Sequence, residues 1–159
     1  MSVERYLVTP EGHAKLIARR KELIEVERPQ NVRDIEEARA HGDLSENAEY
    51  HAAKDRQGFI DLELRTVKDK IARAQVIDPA QMTGDRVAFG ATVTFIDLDI
   101  DEELTYQLVG GEEADVKAGR VFYKSPLARG LMRKEAGDEV QVKTPNGIRT
   151  LEILDVEFI

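Results

Sequence analysis

The sequence predicts an α+β fold in two parts, an antiparallel α-helical coiled-coil hairpin followed by a small antiparallel sheet carrying a short helix. Three observations predict it. Apolar residues recur at alternating three- and four-residue spacings as far as Ala74, then strict polar–apolar alternation sets in at Ala91. Composition changes between the two, from Ala, Leu, Ile, Glu, Lys and Arg to Val, Thr, Phe and Gly.

The clearest helical pattern begins at Tyr50. Tyr50, Ala53, Gln57, Ile60, Leu64, Val67, Ile71 and Ala74 make an a/d seam over about three heptads, interrupted by the polar Gln57. The arm before it starts at Thr9-Pro10-Glu11, which reads as an N-cap, a proline at the first helical position and an acidic first turn. Its seam is rougher: Ile17, Ile24, Ile35 and Ala38, flanked by Leu16 and Leu23. Pro29 falls inside this arm, where the missing N–H and the ring clash cost about 3 kcal/mol, so a kink is expected over residues 25–28. Between the arms lies His-Gly-Asp-Leu-Ser-Glu-Asn at 41–47. Gly42 can stop the first arm with a positive φ, and Asp43 or Ser45 can cap the next. A turn this short makes the arms antiparallel neighbours. Arms of about 30 residues span roughly 45 Å, which would hold the turn far from any globular body.

Residues 78–84 contain Pro79 and Gly84 and read as a linker. The expected organisation is a coiled-coil domain with its tip at 1–78, a linker at 79–86 and a sheet domain at 87–159. Alternation marks strands at 91–98, 103–109, 138–144 and 148–156, with Asn146-Gly147 joining the last two in a type I′ turn. Ser125-Pro126 opens a short helix through Met132 as cap and first position.

Composition excludes several classes of function. The chain has 159 residues, 42% hydrophobic and 34% charged, enough to fold one domain or two small ones. No cysteine is present, which removes disulfides, thiolate metal sites and thiol catalysis. No apolar run is long enough to span a bilayer, and the opening residues lack a signal-peptide core, so a cytoplasmic protein without membrane association is expected. The net charge of -8 argues against general nucleic-acid binding but leaves room for a local basic patch.

The strongest constellation is the turn. Asp43 and Glu46 are three apart in an apolar-poor setting, and two hard oxygen ligands with room for water suit Mg²⁺, though they do not complete a site. Helix capping accounts for the same residues, since Asp and Ser ahead of Glu are ordinary at an N-terminus. Arg33, Arg39, Lys54 and Arg56 bracket the acids and could steer phosphates toward them, or could be a solvated face of alternating charge. His41 and His51 flank the turn at a spacing that matches no metal-ligand signature. Gly84 and Gly110-Gly111 are turns, and no nucleophile-plus-base arrangement is visible.

The segment EEARAHGDLSENAEYHAAK at 36–54 closely resembles the tip of the bacterial Gre transcript cleavage factors. The resemblance continues in order through Gln57-Gly58-Phe59, Val76-Ile77-Asp78, the FGATVT run at 89–94, Glu113-Ala114-Asp115, the SPLARGL run at 125–131 and the VKTP run at 142–145. It implies an N-terminal antiparallel coiled coil and a C-terminal FKBP-like domain. It further implies a factor that docks on RNA polymerase through that second domain and inserts the coiled coil into the secondary channel. There it stimulates endonucleolytic cleavage of backtracked nascent RNA and rescues arrested complexes.

By the same resemblance Asp43 and Glu46 are the catalytic carboxylates, completing the coordination of a Mg²⁺ held mainly by polymerase near the RNA 3′ end, with Ser45 a further tip contact. The family's basic patch maps to Arg39 and Lys54, where Lys keeps the charge without the bidentate fork of Arg. The implied protein is not itself an enzyme but stimulates the nuclease activity of polymerase. Residues 121–124 (VFYK) and 132–134 (MRK) are bulkier or more basic than the usual family text. Three other readings remain in view: a family homologue that occludes the channel without stimulating cleavage, a prolyl isomerase suggested by the FKBP-like half, and a coiled-coil adaptor.

Overall fold

Residues 4–159 are described by the structure, a computed structural model; residues 1–3, where the expected first domain begins, lie outside the described residues. The chain forms two units, one built on Ala14–Ala74 and the other on Arg5–His13 with Gln75–Ile159.

The first unit is the helical hairpin. Helix α1 (Pro10–Glu22) passes through a π-helical turn at Leu23–Glu27 into α2 (Arg28–Ala40), and α3 (Ala48–Arg73) returns. Thr9 caps α1 as its sequence indicates, accepting the Gly12 N–H on Oγ1 at 3.2 Å. In place of the kink expected from Pro29 alone, the chain takes a widened turn just ahead of it, with Arg28 N–H reaching back to Leu23 O. Proline has no N–H to offer, and one inserted residue lets helix continue on both sides of the irregularity.

That extra residue also resets the seam. Leu16 and Leu23, seven apart, are buried, and the next buried position is Asn31, eight further on, followed by Ile35 and Ala38. Ile24, expected in the seam, is exposed, and Ile17 is only half-buried. On α3 the seam falls where its spacing places it, with Ala53, Ile60, Leu64 and Val67 buried. Each large apolar side chain so buried stabilises the hairpin by about 1.5–3 kcal/mol.

Polar cross-links fix the antiparallel register. Asn47 Nδ2 donates to Ala38 O at 2.6 Å, Asn31 Nδ2 to Ala53 O at 2.9 Å, Arg56 pairs with Glu27, and Arg19 grips Glu63 through Nε (2.6 Å) and Nη2 (2.7 Å). Partners on α3 run forward as those on the first arm run back. The hydrogen bond from Arg19 holds the Glu63 carboxyl below its ordinary range, and the same bond holds the Arg19 guanidinium above its own.

The second unit is a curled five-stranded sheet with one short helix. Strands β3 (Thr92–Asp97), β4 (Glu102–Val109), β5 (Arg120–Phe122), β6 (Glu139–Thr144) and β7 (Gly147–Glu157) lie in the order β5-β4-β3-β7-β6. All neighbours are antiparallel except β4 and β5, so the expected antiparallel sheet is mixed at one edge. Period-2 alternation turns Val93 and Phe95 of β3, Val140 and Val142 of β6, and Leu151 and Ile153 of β7 into one core. A bulge at Leu154, which is skipped between the Asp155 and Ile153 pairings with β3, leaves that leucine 42% exposed.

Helix α4 (Pro126–Leu131) is capped by Ser125 Oγ, which accepts the Ala128 N–H at 3.2 Å, as the sequence indicates. It lies so close to β6 that a Cβ on Gly130 would stand 2.5 Å from Val142 Cγ2. The β6–β7 turn is not type I′. Its two loop residues are Pro145 and Asn146, because Thr144 pairs with Gly147, and the positive φ falls on Gly147 at 118°. Pro145 cannot take the positive φ that a type I′ turn requires.

Two further short strands, β1 (Tyr6–Val8) and β2 (Ala74–Val76), form a separate two-stranded sheet. Beside β1 the Thr9 hydroxyl donates to Glu113 Oε1, while Glu113 Oε2 is buried without a hydrogen-bond partner among the described residues and Glu113 is 3% exposed. The N-terminus of α1, with its partial positive charge, suits a carboxylate there.

Candidate functional site

The turn between α2 and α3 is built from the ends of both helices. The last turn of α2 tightens, with His41 N–H to Ala38 O at 3.2 Å and Gly42 N–H to Arg39 O at 3.3 Å, and Gly42 takes φ 102°. Glycine bears that conformation without steric cost, so the helix stops there as its sequence indicates. The next residues form a 3-10 turn at Leu44–Glu46. Asp43 caps that turn, its Oδ1 accepting both the Ser45 N–H (3.1 Å) and the Ser45 hydroxyl (2.8 Å).

Neither Asp43 nor Ser45 caps the long helix, however. That is done by Asn47, whose Oδ1 accepts the Tyr50 N–H at 3.0 Å. Asn47 is not among the caps expected from the sequence. Its signal is there in retrospect, since asparagine is among the strongest N-cap residues and Ala48-Glu49 opens the helix with an acid in the first turn. The capping interpretation of Asp43 is therefore correct for the short turn, and it occupies one of the two carboxylate oxygens.

Asp43, Ser45 and Glu46 are all exposed, and among the described residues no hydrogen bond holds the Glu46 carboxylate. Asp43 caps the three-residue turn at the end of the hairpin and Glu46 closes it, both open to solvent. The flanking bases divide into two groups. Arg56 is paired with Glu27, and Arg33 donates to Gln30 Oε1 at 2.7 Å, so both are engaged along the arms. Arg39 stands in the last turn of α2 and Lys54 in the second turn of α3. The Arg39 guanidinium lies 6.0 Å from the centre of the Tyr50 ring, and Lys54, one turn beyond Tyr50 on α3, donates to Gln57 Oε1 at 2.8 Å. Both bases are exposed, one from each arm, on the face that carries Tyr50.

The histidines serve the turn itself. His41 Nδ1 is 3.1 Å from Glu49 Oε2, and His51 Nε2 is 3.3 Å from Ser45 O. Among the described residues no group of three or more His, Asp or Glu could hold a metal ion by itself, and no helix is long and apolar enough to cross a membrane. What the turn offers is a partial set of hard oxygen donors, with a cationic pair a few residues behind it.

Fold and site together define a two-unit protein: a helical hairpin that exposes two carboxylates at its turn, and a curled mixed sheet with a single short helix. Comparison with known proteins assigns both units. The N-terminal domain model of the GreA/GreB transcription elongation factors matches residues 6–76, and their C-terminal domain model matches residues 82–158. The chain is 54% identical to the transcription elongation factor GreA of Phenylobacterium zucineum over 99% of its own length and 100% of the relative's. It is 52% identical to that of Caulobacter vibrioides with the same two coverages. Among solved structures, a transcription elongation factor GreA/GreB from Nitrosomonas europaea is matched at 19% identity and a TM-score of 0.42, over 98% of this chain and 100% of that one. The chain belongs to the GreA/GreB family of transcription elongation factors.

Proposed function

We propose that this chain binds bacterial RNA polymerase in the cytoplasm and stimulates endonucleolytic cleavage of backtracked nascent RNA, with Asp43 and Glu46 as the groups it lends to the reaction. The observation that carries this reading is the exposure of both acids on one short turn at the end of the hairpin. A hairpin whose returning helix has 26 residues, about 39 Å at 1.5 Å per residue, has the reach to carry that turn into a channel.

The donor set fits Mg²⁺. This ion prefers one or two carboxylates with water and phosphate oxygens completing its shell, which is what Asp43 and Glu46 leave room for when polymerase supplies the rest. Bound there, the ion would stabilise the attacking and leaving oxygens of phosphodiester hydrolysis. Ser45 turns Asp43 by bonding Oδ1, which leaves Oδ2 as the natural donor. Arg39 and Lys54 attract the phosphates of the extruded RNA 3′ end, in a field that ionic strength weakens. The second unit docks the protein on polymerase. The chain supplies ligands and position, and polymerase supplies the nuclease.

The channel-occluding alternative is not favoured, because full-length relatives at about half identity carry the GreA elongation-factor name. Transcript cleavage on stalled elongation complexes tests the proposal. Adding the protein should shorten the RNA from its 3′ end and restore extension, whereas intact transcripts with halted extension would give the alternative.

A further inference from the structure

The side chain of Asn47 is bonded at both ends, and nothing in the function proposed above uses it. Nδ2 donates to Ala38 O in the last turn of α2 at 2.6 Å, and Oδ1 accepts from Tyr50 N–H in the first turn of α3 at 3.0 Å. Its own N–H reaches Leu44 O at 3.4 Å, which closes the 3-10 turn carrying the acids. One half-buried amide thus joins the helix before the turn, the helix after it and the turn itself.

We infer that Asn47 is a positioning residue for the tip: it fixes where Asp43 and Glu46 stand without touching the reacting atoms. This rests on the functional reading above. A carboxamide suits the place because it offers a donor and an acceptor on one rigid plane. Aspartate matches asparagine as an N-cap and suits a helix N-terminus by charge, but it has no proton to give Ala38 O. Serine and alanine lose the reach or the acceptor. Free of the bond to Ala38, the turn keeps on its α2 side only its own helix-end bonds and the exposed His41–Glu49 contact, and Asp43 and Glu46 are set on a looser hinge. Ligands must be held within about 0.5 Å of their working geometry, so a loosened turn loses rate before it loses binding.

Asn47→Asp in the full-length protein separates the two bonds. Backbone ¹⁵N relaxation should show order parameters at residues 44–46 falling from the rigid value near 0.85 toward about 0.6, while the Tyr50 amide stays rigid. In transcript cleavage the rate at saturating factor should fall by about tenfold or more, with the half-saturating concentration changed by less than about twofold. A merely structural defect would instead remove active protein and move the half-saturation point. Unchanged order parameters at residues 44–46 overturn the inference, whatever the cleavage result, and so does wild-type cleavage by the variant. Should the wild-type protein itself stimulate no cleavage, the functional reading fails, and relaxation alone still decides whether Asn47 holds the turn.

Discussion

Asp43 Oδ1 accepts two hydrogen bonds from Ser45, one from its N–H at 3.1 Å and one from its hydroxyl at 2.8 Å. The contact caps a turn and aims a carboxylate at once, and these two roles can be separated. Asparagine is as good a cap as aspartate but carries no charge. Asp43→Asn should therefore change stability by less than about 0.5 kcal/mol in urea titration while abolishing stimulated cleavage. Equal activity of the two proteins would reduce Asp43 to a capping residue.

Arg39 lies over the Tyr50 ring and Lys54 bonds Gln57 one turn further along α3, and both residues are exposed to solvent. Lys54→Glu should lower cleavage stimulation several-fold at low salt and much less near 1 M, where the Debye length shrinks to about 3 Å. Cleavage rates measured across a salt series check this; a deficit independent of salt would remove the steering role.

Arg19 and Glu63 tie the arms with a two-bond pair. Their side chains are 32% and 44% exposed, so screening limits the pair to about 0.5–1 kcal/mol. Glu63 is held below its ordinary pKa, so its contribution is fully present above about pH 4.3 and is lost as the pH falls through the lower, folded value. Glu63→Gln should lower the thermal midpoint at pH 7, and its curve should meet that of the wild type once the pH has fallen below the depressed pKa of Glu63. Circular dichroism melts across this range check it; a gap that persists in acid would contradict it.

Gly12 lies in helix α1, where alanine would ordinarily stabilise by about 1 kcal/mol. Here a Cβ would stand 2.8 Å from the carboxyl carbon of Glu113, which is buried and bonded to Thr9. Gly12→Ala should therefore destabilise by about 1–3 kcal/mol, the cost of breaking a buried polar contact. Glu113→Ala in the same chain should relieve the clash, giving a favourable coupling in a double-mutant cycle measured by urea denaturation. Additive losses would show that the two residues do not meet.

The hairpin was legible in the sequence where the apolar spacing is uninterrupted, as on α3 from Ala53 to Val67. It was blurred on the first arm because the π-helical turn before Pro29 inserts a residue, so Leu16 and Leu23 face the seam where Ile17 and Ile24 were expected. The long strands were visible through alternation. Tyr6–Val8, Ala74–Val76 and Arg120–Phe122 were not, since three residues are too few to show a period. Asn146-Gly147 suggested a type I′ turn, but Pro145 displaced the loop by one residue. At the tip, Asp43 followed three residues on by Glu46 imitates a capping box, which drew attention from Asn47, the residue that starts the helix. Side-chain exposure and the pairing of Arg56 with Glu27 and of Arg39 with Tyr50 depend on packing between the arms, which spacing alone does not reveal.

The Mg²⁺ dependence of RNA cleavage in stalled polymerase complexes tests most directly whether Asp43 and Glu46 lend ligands to the ion. Wild-type protein should lower the Mg²⁺ concentration needed for half-maximal cleavage, and Glu46→Gln should return it to the value of polymerase alone while the factor still binds. A Glu46→Gln protein that lowers the requirement as far as wild type does would contradict it.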